Sequence, residues 1–335
     1  MAPVQRRHFL IVEGALLAAP VVLPRFAFGQ SQRRTARVAI LYVVDRSRSA
    51  YLLDAFKDAM SKSGWREGVN IEYLFREAHG DLAQLDPLAA ELVTEKPDLI
   101  LASSNPAALA VQKYTQTIPI VFSIVADPVA AGLVASLAKP GRNATGPASG
   151  IASSSLSGKR LQMLKEIIPD LRRVALLYDP SDAADARLLQ PVQVAADKLT
   201  LEVQTFTAGR PEDFRPSLAA MTKAKIGAAL IGNGTANFIN RELIAGLAME
   251  HGIPTIGTFE GASEAGMLMS YGADLVRLYR ITARYADQIL RGARPADLPV
   301  EQPSILTLAI NLKTAKALGI KFPNSILVRA DRVIE

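Results

Sequence analysis

Small polar side chains collect in this chain where short apolar runs stop. Ser103, Ser104 and Asn105 follow Leu99–Ala102, and Ser123 and Asp127 close the run that starts at Ile120. Asp45 ends an earlier run, Arg37–Val44, while Asp179, Asn233, Thr235, Thr258 and Glu260 follow similar runs further on. Hydroxyls and side-chain amides beside a helix start favour an anion, because the first-turn N–H groups have no intrahelical partner and the helix dipole is positive there. The same residue types at the same places also serve as helix N-caps, and Pro106 suits a first helical turn for local reasons. Asp179, just before Pro180, suits a turn equally well. Capping and ligand contact thus both remain open from residue types alone.

Catalytic patterns are weak by comparison. Of three histidines, His8 lies in an apolar leader, His79 in a polar loop and His251 at a helix end, where it complements the dipole. There is no HExxH, P-loop or GxSxG; in Gly146–Gly150 the serine, Ser149, comes one place late. Ser136 and Lys139 have S-x-x-K spacing without its companion motifs, and Gly232 with Gly234 make only G-x-G, short of a dinucleotide fingerprint. No cysteine is present, which excludes disulfides, thiolate metal sites and a lipid-modified cysteine. The expectation is a chain with no catalytic set, no metal and no cofactor.

The elements that would position these polar ends alternate strand and helix. Strands are predicted at Arg37–Val44, Val69–Arg76, Leu99–Ala102 and Ile120–Ile124, with helices at Leu52–Ser63, within Leu82–Thr94, from Pro106 and across Val129–Leu137. Residues Lys139–Ser157, rich in Gly, Ser and Pro, read as a linker. The rhythm then restarts. Helices are expected at Gly158–Ile168, Ala183–Leu199, Glu212–Ala224 and Phe238–His251, and strands at Val174–Tyr178, Leu201–Phe206, Ala228–Ile231 and Thr255–Gly257. Ile118-Pro119-Ile120 and Ile253-Pro254-Thr255 repeat one detail, a proline directly before a strand, so the second half looks like a copy of the first. A tail adds strands at Met267–Tyr271 and Ile305–Ile310, a long amphipathic helix Leu275–Leu290 and a short helix Leu312–Leu318. The fold class is α/β, two Rossmann-like lobes with parallel sheets and a ligand cleft at the hinge.

Length and charge fit that frame. The chain has 335 residues, 49% hydrophobic and 21% charged, enough for two domains. Of the net +6, residues 1–29 carry +2 (Arg6, Arg7 and Arg25 against Glu13), and the remaining +4 is spread without a basic block. Nucleic acid is therefore not an expected partner. Arg6-Arg7, the apolar stretch to Leu23 and the small residues Ala27-Phe28-Gly29 read as a twin-arginine-like signal peptide over 1–29, with a general secretory signal as the alternative. The uninterrupted apolar run Gly14–Pro24 is short of the roughly 20 residues that a spanning helix needs. A periplasmic protein, cleaved near Gly29, is the expectation.

The run PDLILASSNPAALAVQ…IPIVFSIVADPVAAGLV, the segment PGRNATG at Pro140–Gly146, VALLYDP at Val174–Pro180 and the ending LAINLKTAKALGIKFPNSILVRADRVIE resemble the solute-binding proteins of ABC importers with the type I periplasmic-binding-protein fold. More narrowly, they are similar to tryptophan- and other amino-acid-binding subunits, over about Ala36 to Glu335. The resemblance implies an N-terminal lobe of residues 36–147 plus 270–303, a C-terminal lobe of 148–269 plus 304–335, and three crossovers. It also implies a solute clamped between closing lobes, ABC permease subunits as partners and a monomeric chain. It supports Ser103–Asn105 as a carboxylate site, with Asp127 or Glu260 receiving an amine; the ligand would then be an amino acid or a relative. The expected ligand-binding residues are Asp45, Ser103, Ser104, Asn105, Ser123, Asp127, Asn233, Thr258 and Glu260, with Tyr42, Tyr178, Phe259 or Tyr271 as aromatic walls or as core. A ligand-binding sensor that presents its closed form to a membrane receptor is the alternative; an exported α/β enzyme would need a nucleophile or metal set that these residues do not assemble.

Overall fold

Alternate residues of the first apolar run enter two different cores. Val38, Ile40 and Tyr42 belong to one buried cluster and Ala39, Leu41 and Val43 to another, so the strand is covered on both faces, as its near-continuous apolar sequence requires. The computed structural model describes residues 35–150, 154–259, 261–302 and 306–335. The signal segment expected over 1–29 lies outside the described residues, as does Glu260. No helix among the described residues is long and apolar enough to cross a membrane.

The first sheet is built by β1 (Ala36–Tyr42), α1 (Ala50–Lys62), β2 (Ile71–Glu77), α2 (Leu85–Thr94), β3 (Leu99–Ala102), α3 (Asn105–Tyr114), β4 (Ile120–Phe122) and β5 (Ala144–Thr145). Its strands are all parallel, in the order β2-β1-β3-β4-β5. A second set follows: α4 (Ser154–Ile167), β6 (Arg173–Tyr178), α5 (Ala183–Ala186), α6 (Leu189–Lys198), β7 (Glu202–Thr207), α7 (Pro211–Lys223), β8 (Ala228–Ile231), α8 (Thr235–Ile239), α9 (Arg241–Glu250), β9 (Thr255–Phe259), α10 (Gly261–Glu264) and β10 (Met269–Ala273). The tail adds α11 (Leu275–Leu290), β11 (Leu306–Asn311), α12 (Leu312–Ala317), α13 (Asn324–Arg329) and β12 (Arg332–Ile334). The second sheet runs β12-β11-β10-β9-β8-β6-β7, so its parallel part, β7-β6-β8-β9-β10, repeats the strand order of the first. The prolines repeat with it: the carbonyl of Pro119 accepts from Ile100 N and that of Pro254 from Ala229 N, one residue before β4 and β9.

Several expectations needed correction. The helix across Val129–Leu137 is a set of turns: Leu133 N and Val134 N both reach back to Pro128 O, and Gly132 at φ +75° ends the single turn. The expected linker contains β5. In PGRNATG, Asn143 donates to Thr115 O and Ile118 O, and Gly146 sits where a Cβ would lie 2.2 Å from Phe122 O. That motif is therefore the edge of the first sheet. The helix Ala183–Leu199 is two helices, α5 and α6, and the helix expected from Phe238 begins at Thr235 and is split into α8 and α9.

β10 pairs with β9 and, antiparallel, with β11, so the chain returns to the first sheet after Ala273 rather than at residue 270. From there α11 packs along α1, and Thr145 Oγ1 and Ala148 N hold the following loop through Leu298 O and Glu301 O. The chain thus passes between the sheets after β5, after β10 and before β11.

Candidate ligand-binding site

In a sheet ordered 2-1-3-4-5 the chain leaves strands 1 and 3 in opposite directions, which opens a crevice at their carboxyl ends. This fold has two such switch points, β1/β3 and β6/β8, and one cavity lies between them. From the first sheet it is lined by Tyr42, Val43 and Val44 at the end of β1 and by Ser103, Ser104 and Asn105 between β3 and α3. The second contributes Asp182, Asn233, Thr235, Phe238 and Phe259, and α11 closes one side with Leu275 and Tyr279. The same hydrogen bond ends the ladder in each half, Ser103 N to Leu41 O at 3.2 Å and Gly232 N to Leu177 O at 2.8 Å. The cavity measures about 70 Å³, against roughly 10–15 Å³ needed for one ordered water.

Its polar groups are unusual in one respect. Tyr42 Oη, Ser49 Oγ, Asn105 Oδ1, Ser149 Oγ and Asn233 Oδ1 are buried, line this cavity and have no hydrogen-bond partner among the described residues. An unpaired buried polar atom costs about 1–3 kcal/mol, and native structures hold few of them. Five of them converge on this one space. Burial raises both the Tyr42 and the Tyr279 hydroxyl above the usual phenol range, so each is a neutral donor.

The two walls differ in electrostatics. On the first-sheet side the amino ends of α1 and α3 are flanked by the hydroxyls of Ser49, Ser103 and Ser104. On the second-sheet side stands Asp182, the one charged side chain among the described lining residues, with Oδ2 accepting from Thr235 N at 3.0 Å. The arrangement suits a solute that is negative at one end and positive at the other, with Tyr42, Phe238 and Phe259 as apolar surface between. Phe238 and Phe259 meet edge to face, their centroids 4.9 Å apart.

The structure brings Ser103, Ser104, Asn105 and Asn233 together in the lining, with Thr235, Tyr42 and Phe259. Ser104 is both lining residue and N-cap: its Oγ accepts from Ala107 N at 3.3 Å. Other expected residues lie elsewhere. Asp45 meets Nδ1 of His79 beside β2. Ser123 is buried under the cavity, where it accepts from Thr282 Oγ1 and bonds the Tyr279 hydroxyl, tying β4 to α11. Asp127 accepts from Ala130 N at 2.9 Å and stands 4.0 Å from Arg187, and Thr258 is interior to the second sheet, donating to Gly232 O. Asp179 accepts from Ser181 N and Oγ, a turn contact, and Tyr178 and Tyr271 pack on the second-sheet core.

Sequence reading missed Ser49, Ser149, Asp182, Phe238 and Tyr279. Ser149 lay in the supposed linker, and Asp182 follows Pro180 by two residues on a turn whose path no periodicity reveals.

Residues 37–334 match the family model described as ABC transporter substrate binding protein. The chain belongs to that family. It is 28% identical over 290 residues to a tyrosine-binding protein of Clostridioides difficile, covering 86% of this chain and 82% of the relative. Among solved structures it is similar to an ABC domain from Streptococcus pneumoniae in complex with L-Trp, at 25% identity and TM-score 0.82, covering 90% of this chain and 100% of that one. It is also similar to the ligand-free, open structure of a substrate-binding protein with adhesive properties from Clostridium difficile, at 26% identity and TM-score 0.67, covering 89% and 99%. The fold is that of the type I periplasmic-binding proteins. Members of this family are extracytoplasmic substrate-binding proteins rather than enzymes.

Proposed function

We propose that this protein is the exported solute-binding subunit of an ABC importer and that its solute is an amino acid with a large apolar or aromatic side chain. The carboxylate is received by Ser103, Ser104 and Asn105 at the start of α3, with Ser49 at the start of α1. The ammonium faces Asp182, which takes the part that the sequence assigned to Asp127 or Glu260. The side chain lies against Tyr42, Phe238 and Phe259. The observation that carries this reading is the convergence of five buried polar atoms, without a partner among the described residues, on a cavity whose two walls are opposite in polarity.

The sheets act as two lobes, 36–147 with the α11 segment and 148–273 with the C-terminal tail, that part to admit the solute and close on it. Support comes from the greater likeness to the L-Trp-bound neighbour than to the ligand-free open one, at nearly equal identity, and from ties that span the cleft. Arg48 Nη2 meets Glu242 at 2.9 Å, and Arg187 Nη2 donates to Ala130 O at 2.7 Å. The closed, monomeric form docks on permease subunits, and the leader is removed near Gly29.

A thermal-shift screen of refolded protein tests this. An amino acid at about 100 times its dissociation constant stabilises a folded protein by roughly 2.7 kcal/mol. Hits confined to aromatic or large apolar amino acids are expected. A folded protein that none of them stabilises would overturn the reading.

A further inference from the structure

The G-x-G of Gly232 and Gly234 has no role in the ligand contacts above, yet the structure gives it one. A Cβ on Gly232 would lie 2.3 Å from Asp185 Oδ1, and one on Gly234 would lie 2.6 Å from Asp185 Oδ2. The two glycines let the β8–α8 turn close around a carboxylate of the chain itself. Asp185 is fully buried, and its oxygens accept from Asp179 N at 2.8 Å, Gly234 N at 2.7 Å and Asn237 Nδ2 at 2.8 Å, with a further bond from the Asn233 amide. One side chain thus joins the two segments that carry the second-sheet wall: the turn with Asp182 and the turn with Asn233 and Thr235.

We propose that Asp185 is the positioning residue of the second-sheet wall, gathering these amides so that Asp182, Asn233 and Thr235 face the cavity, and that a solute bearing an ammonium group binds the form in which Asp185 is ionised. The second part rests on the reading that the ammonium faces Asp182. The charged groups near Asp185 come from its own turn, Asp179 and Asp182; residues 232–239, packed against it, carry no ionisable side chain. A Cβ on Gly234 would also lie 3.3 Å from Asp182 Oδ2, which places the two carboxylates on either side of one glycine. Burial raises the Asp185 carboxyl to about 7 against the lowering by the Asp179 amide, and repulsion from Asp182 adds to the rise. An ammonium at Asp182 cancels that repulsion, so the solute takes up its place as Asp185 loses its proton.

The test has a ligand-free arm and a ligand arm. In ligand-free protein the Asp185 carboxyl carbon, assigned by its absence in Asp185→Asn, is followed by NMR against pH. A midpoint near 7 is expected, and one in the ordinary carboxylate range would overturn the proposal whether or not a ligand is known. In the second arm the affinity for L-tryptophan is measured at pH 5.5 and pH 8, with binding about thirtyfold weaker at pH 5.5 and with proton release visible as a buffer-dependent heat. The dependence should persist in His79→Gln and vanish in Asp185→Asn. Should Asp185→Asn fail to fold, proton release by the unaltered protein decides the matter; pH-independent affinity with no proton release would contradict the proposal. If L-tryptophan and the other aromatic amino acids do not bind at all, the amino-acid reading fails, while the ligand-free midpoint still decides for or against Asp185.

Discussion

Ser104 shows how one side chain meets two demands at once. Its hydroxyl caps α3 and its position lines the cavity, so capping and the ligand contact proposed above, which the sequence left as alternatives, are compatible in one side chain. Replacing Ser104 and Asn105 together by alanine should weaken solute binding by on the order of 1–3 kcal/mol in a folded protein, measured by calorimetry. Loss of the cap adds about 1 kcal/mol to the cost in stability, read separately by thermal melting. Asp185 makes a second prediction at this scale. Its midpoint of about 7 lies well above that of an unfolded aspartate near 3.8, so the native state holds a proton that the unfolded chain has released between those values. The stability this group contributes is complete below about pH 4 and is lost as pH rises through 7. The melting temperature of ligand-free protein should therefore fall from pH 5 to pH 8 by more than that of Asp185→Asn; parallel curves would count against the assignment.

Elements with strong periodicity were legible from sequence. Leu99–Ala102, Ala228–Ile231 and the helix Leu275–Leu290 form with the expected bounds, because each is a buried strand or an amphipathic helix whose pattern is set by the cores it enters. The failures share a cause. Val129–Leu137 has helical composition, but Pro128 and the left-handed Gly132 limit it to one turn, and β5 is two residues long, fixed by its pairing with β4 rather than by anything local. The site divides in the same way. Residues directly at the ends of β3 and β8 could be named from position alone, whereas Ser149 and Asp182 reach the cavity through turns set by long-range contacts. Gly146 belongs to this scale: alanine there would put a Cβ 2.2 Å from Phe122 O at φ +148°. Gly146→Ala should cost about 1–3 kcal/mol of stability, seen in denaturant unfolding, with solute affinity changed little in the folded fraction.

At the scale of the whole molecule, two copies of one strand order face each other, so that the crevice of each supplies part of the lining of one cavity. The bland contacts across the cleft matter to that balance. An exposed ion pair such as Arg48 with Glu242 contributes about 0.2–1 kcal/mol, and Arg187 adds a hydrogen bond to Ala130 O across the same cleft. Arg48→Ala combined with Arg187→Ala should weaken solute binding about two- to tenfold at low ionic strength and leave the melting temperature of ligand-free protein nearly unchanged.

The central claim, that this cleft holds both charged ends of an amino acid, is tested most directly by calorimetry on refolded protein. L-tryptophan and L-tyrosine would be compared with their methyl esters and N-acetyl derivatives. The account predicts that at least one free amino acid binds and that blocking either end weakens it at least about thirtyfold, as expected when a buried charge-assisted hydrogen bond is removed. Equal binding of the blocked forms, or no binding of any free amino acid to demonstrably folded protein, would contradict it.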